Sequence, residues 1–144
     1  MAGGVDRRAE IHQALGVNMA APGKIEIVDG PHFAEGESLS DAVNATHGRI
    51  VRITMPSDWT PALLTFLISS DGEFFNDLCD FNGDYIAINV RPGSAVIVPE
   101  QAGIAAEYVK FRSGTPSSPV PQEEVRNFAI AVETGATVSA PLRP

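Results

Sequence analysis

The sequence predicts an all-β fold, an antiparallel β-sandwich of jelly-roll or discoidin-like type, and three observations support this prediction. From Lys24 onward, short runs rich in Ile, Val, Phe and Thr recur along the chain. Gly, Asn, Asp and Pro, the residues that form tight turns, separate these runs. The runs number about nine, which is typical of a sandwich with Greek-key or jelly-roll connections.

Most of the runs alternate with the period of two that a strand requires. In "KIEIVD", Ile25 and Ile27 alternate with Lys24 and Glu26. The remaining predicted strands are "SLSDAVN", "GRIVRITMP", "ALLTFLIS", "FFNDLCD", "GDYIAINV", "SAVIVP", "EYVKFR" and "RNFAIAVE". "ALLTFLIS" is apolar almost throughout, which indicates a central strand covered on both faces.

Three of these runs allow a more detailed prediction. "GRIVRITMP" places Val51, Ile53 and Met55 on one face, and "RNFAIAVE" places Phe128, Ile130 and Val132 on one face with Ala129 and Ala131 opposite. In "EYVKFR", Val109 and Phe111 should face the core, and Gly114 in the Pro-rich loop beyond should adopt positive φ. "SLSDAVN" also fits one helical turn, but its length favours a strand.

The chain divides into three parts by composition. Residues 1–23 form an N-terminal arm and linker, residues 24–134 the β-sandwich domain, and residues 135–144 a C-terminal tail. The arm is predicted to be either a short helix or an extended segment. In the helix, Asp6 would be the cap, and Ile11 and Leu15 would lie one turn apart on one face. Such a short helix is marginal alone and requires a surface to pack on.

Composition excludes several classes of function. The net charge of −8 argues against binding to nucleic acid or to an anionic membrane, because Lys and Arg hold those partners. The N-terminus has no continuous apolar run, so it predicts neither a signal peptide nor a membrane span, and we expect synthesis in a cytoplasm. The single cysteine, Cys79, excludes an intramolecular disulfide and a multi-cysteine zinc site.

The acidic stretch "SSDGEFFNDLCDFNGDY" has two interpretations. Its carboxylates do not fall at the spacing of an EF-hand loop, whose flanks would also have to be helical. Asp71-Gly72 and Asn82-Gly83 are instead typical turn dipeptides, and they predict two successive β-hairpins. Carboxylates on adjacent turns can still collect a calcium ion, which is the alternative, but we expect neither a metal nor another cofactor.

No arrangement of residues predicts an enzyme. Ser113 lies in "RSGTPSS" without the G-x-S-x-G pattern of a nucleophile elbow, and the three histidines have no metal-binding spacing. Trp59 could stack on a sugar, although a packed anchor at a strand edge is the more ordinary role of such a residue.

The runs "SLSDAVNATHGRIVRITMPSDWTPALLTFLISSDGEFFNDLCDFNG" and "VKFRSGTPSSPVPQEEVRNFAIAV" resemble a β-domain of small virion proteins in tailed bacteriophages and gene transfer agents. The resemblance covers roughly residues 36 to 133, leaves the arm outside, and depends on the order and spacing of its elements. Its "S-x-DG-x-x-F" portion is also similar to discoidin-like sugar-binding sandwiches.

This resemblance implies a structural virion protein, a capsid decoration (cement) or head-spike component assembled in the bacterial host cytoplasm. Its partners would be the major capsid protein or other virion proteins, and by analogy we expect a homo-oligomer, specifically a trimer. Arg7, Arg8, Ile11 and Leu15 of the arm are the predicted docking residues. The alternative is a receptor- or carbohydrate-binding module on a fibre or tail, with Trp59, Tyr85 and Tyr108 as the stacking aromatics.

Overall fold

In a computed structural model, which describes residues 23–135, the chain forms an all-β sandwich of two antiparallel sheets. The strands are β1 (Lys24–Phe33), β2 (Val43–Asn44), β3 (Gly48–Thr54), β4 (Leu64–Ser69), β5 (Asn76–Asp77), β6 (Ala87–Ile88), β7 (Ala95–Ile97), β8 (Tyr108–Thr115), β9 (Ser118–Pro119) and β10 (Arg126–Thr134). One short helix, α1 (Glu100–Ala105), follows β7. Within residues 23–135 no helix has the length and apolar character needed to cross a membrane.

The two sheets differ in composition. Sheet A has the order β1-β10-β3-β7, and sheet B has the order β2-β8-β4-β5 with β6 also paired to β4 and β9 to β8. In sheet A the last strand, β10, therefore lies between β1 and β3. The predicted fold class is confirmed, and every strand described here lies between Lys24 and Thr134.

Aromatic rings join the two sheets across the core. Phe66 and Phe111 come from sheet B, and their ring centroids are 5.5 Å apart. Phe111 meets Phe128 of sheet A edge-on at 5.1 Å, and Phe128 in turn lies 5.5 Å from Phe33. Such offset and edge-to-face contacts are each worth about 1 kcal/mol beyond the burial of area. The predicted inward orientation of Val109 and Phe111 is confirmed, and the face that Phe128, Ile130 and Val132 were predicted to share is the buried one.

The predicted face of β3 is partly wrong. Ile53 and Met55 are buried as expected, but Val51 is only half-buried and Ile50 is in the core instead. The reason is a β-bulge: Ala131 pairs with Arg52 and Val132 with Ile50, so Val51 is the extra residue on β3. A bulge of one residue reverses the side-chain alternation beyond it.

Strand β1 presents its apolar alternation to solvent. Ile25 and Ile27 are 53% and 52% exposed, whereas Pro31 and Phe33 at the other end of the strand are buried. Ile27 pairs with Ala131, on the outer face of sheet A. Alternation alone shows that one face of a strand is apolar, but it does not show which layer covers that face.

Three further elements differ from the prediction. Of "SLSDAVN" only Val43–Asn44 is strand, joined by isolated bridges at Leu39 and Ser40. Ser113 and Gly114 lie within β8 and not in a loop, because β8 continues to Thr115 and pairs with β9. Helix α1 was not predicted, since its six residues are too few to show a helical period.

The arm and the tail lie almost entirely outside the described residues. β1 begins at Lys24 and β10 ends at Thr134, and these two residues pair with each other. The short helix or extended segment predicted before residue 23, and the tail predicted from residue 135, stay predictions.

Candidate interaction surfaces

The first turn of the acidic stretch is held by the side chain of Asp71. Its Oδ1 accepts hydrogen bonds from the backbone N–H groups of Glu73 at 2.8 Å and Phe74 at 3.1 Å, and from the Ser69 hydroxyl at 2.9 Å. These donors, the Glu73 N–H first among them, lower the pKa of Asp71 because they stabilise the carboxylate. Gly72 has φ of 86°, as a tight turn requires. The turn returns the chain so that β5 pairs with β4.

The second turn uses the same device. Asp80 Oδ1 accepts from the backbone N–H groups of Asn82 at 2.8 Å and Asp84 at 3.0 Å, and Gly83 has φ of 86°. Cys79 and Tyr85 form an antiparallel bridge that closes the hairpin. Both predicted turns are therefore confirmed. The first joins β4 to β5 as predicted, whereas the second is closed by an isolated bridge, and β6 pairs with β4 and not with β5.

Sheet B holds the second hairpin at its edge. β5 pairs with Leu67 and Ile68 of β4, and β6 pairs with Leu64 and Thr65 of the same strand. Because both strands occupy one edge of β4, the residues between them leave the sheet and return to it. At the base of this segment, Leu78 N–H donates a hydrogen bond of 2.9 Å to the carbonyl of Phe66.

Both turns present a phenylalanine to solvent. Phe74 is 77% exposed and Phe81 is 95% exposed. We call residues 70–86, with these two side chains and the half-exposed Tyr85, the aromatic edge. The segment contains five acidic residues, Asp71, Glu73, Asp77, Asp80 and Asp84, and no Lys or Arg. It is therefore an apolar and acidic surface on a backbone whose turns are fixed by their own carboxylates.

Two basic residues of β8, a strand of the same sheet B, contact the segment that carries the aromatic edge. Arg112 Nη1 lies 2.8 Å from Asp77 Oδ1, and Lys110 Nζ lies 4.7 Å from the centroid of the Phe75 ring. The ion pair and the cation–π contact connect β5 to β8 across β4, so β5 is held in place without apolar side chains of its own in the core. They keep the two-residue strand β5 in place, and they leave Phe74 and Phe81 free.

The three aromatic residues of the binding-module alternative do not form one site. Trp59 is buried, its ring centroid is 5.2 Å from that of Phe33, and its indole N–H donates to the carbonyl of Ala62 at 3.4 Å. Trp59 is thus a core anchor and is not available to stack on a ligand. Tyr108 is half-buried and its ring lies close to Gly72, whereas Tyr85 is 48% exposed.

The polar groups around Ser113 form a closed hydrogen-bond network. The Gln122 side-chain amide donates to Ser113 Oγ at 2.8 Å and to the Thr60 carbonyl at 3.1 Å, and its oxygen accepts from Thr60 N–H at 2.9 Å. Arg126 donates to the same oxygen at 3.3 Å and also contacts Asp58 at 3.1 Å. Ser113 and Gln122 are fully buried.

This network is structural in character. The Ser113 hydroxyl accepts from an amide, its partner is not a base, and no histidine takes part in the contacts described above. Each polar group of Gln122 is satisfied, as burial requires. The network joins the segment after β3 to the segment between β9 and β10, and thereby fixes two long connections of the sandwich.

Residues 23–135 contain no group of three or more His, Cys, Asp or Glu side chains arranged to hold a metal ion. Three of the five carboxylates of the acidic stretch are used locally: Asp71 and Asp80 hold their own turns, and Asp77 pairs with Arg112. The predicted docking residues Arg7, Arg8, Ile11 and Leu15 lie outside the described part of the chain, so their placement stays a prediction.

The aromatic edge was not identified from the sequence, although its residues lie in the acidic stretch. The signal that could have found it is a phenylalanine inside a turn: Phe81 directly precedes Asn82-Gly83, and Phe74 follows Asp71-Gly72 by two residues. Turn positions are ordinarily polar and exposed, so an aromatic residue at such a position predicts an aromatic side chain on the surface.

Comparison of the chain with family models, with curated proteins and with solved structures finds no match.

Proposed function

We propose that this chain is a structural virion protein, a capsid decoration (cement) or head-spike component that docks on the capsid surface. The observation that carries the proposal is the aromatic edge, where the side chains of Phe74 and Phe81 are exposed on turns that hydrogen bonds hold in place. A side chain in that position gives the fold almost no burial, whereas in a partner's pocket it would contribute about 2 kcal/mol.

The fixed turns favour binding because little freedom is lost when the partner arrives. Asp71 and Asp80 each hold their turn through two backbone N–H groups. Ordering a flexible loop would cost about 0.5–1.5 kcal/mol for each immobilised side chain, and a preorganised turn avoids much of that cost. Five acidic residues around the aromatic side chains select a partner whose apolar pockets are rimmed by Lys or Arg.

The arm supplies a second contact in this proposal. Arg7 and Arg8 would pair with carboxylates on the capsid, and Ile11 and Leu15 would enter an apolar groove there. The arm leads into β1 of sheet A, whereas the aromatic edge belongs to sheet B. Two separate contacts on one particle bind more tightly than either alone, since the second becomes intramolecular.

A receptor- or carbohydrate-binding module on a fibre or tail is the second candidate. Tyr85, in the same hairpin as Phe81, is the observation that favours it, because an exposed tyrosine offers a sugar both a flat apolar face and a hydroxyl. This candidate places the affinity in the isolated domain and predicts binding to a glycan array. The decoration proposal predicts binding to assembled particles and none to glycans.

The test uses particles of the virus or gene transfer agent that encodes the chain, produced with its gene deleted. Purified full-length protein is added back, the bound copies per particle are measured against concentration, and electron microscopy locates them. We expect saturable binding at a fixed position on the head. Absence of saturable binding to the particles, or density confined to the tail, would refute the decoration proposal.

Variants then locate the contact. Phe81→Ser should weaken particle binding by roughly 30-fold, the equivalent of about 2 kcal/mol, without changing the melting temperature. Val125→Ser, which truncates a side chain that is 50% exposed and lies before β10, is the matched control and should bind normally. Equal binding by both variants would exclude the aromatic edge as the contact and leave the arm as the anchor.

A further inference from the structure

The outer face of sheet A carries exposed isoleucines on its two edge strands, β1 and β7, and these are independent of the aromatic edge. Directly opposite residues of antiparallel strands share a face, so Ile27, Ala131, Arg52 and Ile97 form one row across β1, β10, β3 and β7. Ile97 is 80% exposed. We call this row, together with the adjacent row of Ile25, Glu133 and Arg49, the outer face of sheet A.

A solvent-facing sheet surface is ordinarily polar, whereas this one carries three isoleucines beside its charged residues. Its three isoleucines stay half exposed or more within the described part of the chain. Sheet A does not require them there, because Phe128, Ile130 and Ile53 already fill its inner face. An exposed apolar patch of this kind typically marks an interaction surface.

The order of residues in the rows is self-complementary. Consider a second copy placed face to face, with a two-fold axis parallel to the strands and passing between β10 and β3. β1 of one copy then lies over β7 of the other, and β10 lies over β3. Ile27 consequently faces Ile97 of the second copy, and Ala131, which is only 2% exposed within its own chain, lies opposite Arg52.

The charges match under the same operation. Glu133 faces Arg49 of the second copy, because these residues pair with each other within one sheet. Arg49 already donates to Glu133 at 2.8 Å and to Glu100 at 2.9 Å within its own chain, and these hydrogen bonds raise the pKa of Arg49. Two such pairs, related by the axis, would form a four-membered ionic cluster at one end of the interface.

We propose that the outer face of sheet A binds a second copy of this chain through this two-fold arrangement. The proposal does not depend on the proposed virion function, and it differs from the trimer that the resemblance implies. The face spans four strands and about five residues, a footprint of about 300 Å² per copy. Stable complexes bury about 800 Å² per partner, so the dimer should be weak in solution and strengthened where copies are held close together.

The first experiment is sedimentation velocity of the full-length chain at concentrations up to about 1 mM. We expect a reversible monomer–dimer equilibrium. Ile97→Asp should raise the dissociation constant of the dimer by at least tenfold, which is roughly the loss of one buried apolar contact. The loss in binding free energy is doubled because the substitution occurs in both copies. Val125→Asp introduces the same charge at a 50% exposed position away from these rows and should leave the equilibrium nearly unchanged.

A cross-linking experiment tests the geometry. In a Cys79→Ser background, Ile27→Cys protein and Ile97→Cys protein are prepared separately and treated with a short bismaleimide. Facing sheets lie about 10 Å apart, so the mixture should give a cross-linked pair. Each variant alone should give little cross-linked dimer. Identical positions of the two copies lie at opposite margins of the interface, three strand spacings or about 14 Å apart laterally.

Several outcomes would overturn the proposal. A monomer at every concentration, a trimer, or a dimer equally affected by Val125→Asp and Ile97→Asp would each do so. Cross-linking of Ile97→Cys alone as efficient as that of the mixture would contradict the two-fold axis. A monomer destabilised by Ile97→Asp would mean that residues 1–22 or 136–144 of the same chain cover the face, which also refutes binding of a second copy.

Discussion

Replacement of Gly114 by alanine should destabilise the sandwich far more than the same replacement at Gly83. Both glycines have positive φ, 96° at Gly114 and 86° at Gly83. At Gly83 an added Cβ meets nothing within 4 Å, so only backbone strain is introduced. At Gly114 the Cβ would lie 2.4 Å from the carbonyl oxygen of Ser118 and 2.8 Å from the nitrogen of Val120.

The magnitudes follow from these contacts. Strain at positive φ costs a side chain about 1–2 kcal/mol, which is the whole expected effect at Gly83. At Gly114 the clashing atoms belong to the backbone of β9 and of the next residue, Val120, so relief requires opening of the β8–β9 pair, and this adds about 1–3 kcal/mol. Gly114→Ala should therefore lose about 2–5 kcal/mol in total.

Urea unfolding of the two variants and the wild type measures the difference. The midpoints should fall without a change in slope, and the melting temperature should drop by about 2–4 °C for each kcal/mol. If Gly114→Ala loses no more stability than Gly83→Ala, then the close approach of β9 to β8 does not constrain this position and the reasoning is wrong.

Four shorter predictions concern the network, the acidic turn, metal and the arm. Ser113→Ala removes an acceptor from the buried Gln122 amide and should cost about 1–3 kcal/mol while particle binding is retained; a folded variant that fails to bind would make Ser113 functional. The pKa of Asp71 is lowered in the fold, so the carboxylate stabilises the folded state above the ordinary pKa of 3.8, and this stabilisation is lost as pH falls through the lowered pKa. The difference in melting temperature between wild type and Asp71→Asn should therefore vanish in strong acid. A difference that persists there would argue against a role of the carboxylate. A chelator should leave the melting temperature within a few degrees, whereas a larger drop would indicate a bound ion. Deletion of residues 1–23 should leave the sandwich folded and abolish attachment to particles, and full occupancy by the truncated protein would assign the whole contact to the sandwich.

The sequence predicted the fold where local chemistry decides the structure. Asp71-Gly72 and Asn82-Gly83 were identifiable as turns because positive φ and side-chain capping are properties of those dipeptides. The inward face of β10 was identifiable because Phe128, Ile130 and Val132 alternate with alanine. In both cases the relevant physical interaction lies within a few residues of the chain.

The rest depended on contacts between distant residues. The bulge at Val51 arises from the register of β3 against β10, which no pattern in "GRIVRITMP" encodes. The exposure of Ile25 and Ile27 follows from the strand order of sheet A. The burial of Trp59 agrees with the packed role that the sequence favoured, but its aromatic partner Phe33 is distant in the chain and was not predicted.

The position of β10 in the middle of sheet A determines when this domain can fold during synthesis. β10 (Arg126–Thr134) pairs with β1 on one side and β3 on the other, so both strands are made long before their common partner exists. Until residue 134 has left the ribosome, β1 lacks the one partner strand that it has among residues 23–135, and only the bridge from Phe33 to Ser40 is available to it. Chains stalled or truncated before β10 would therefore expose this strand to other nascent chains, and a chaperone that binds extended apolar segments would find its target between residues 24 and 33.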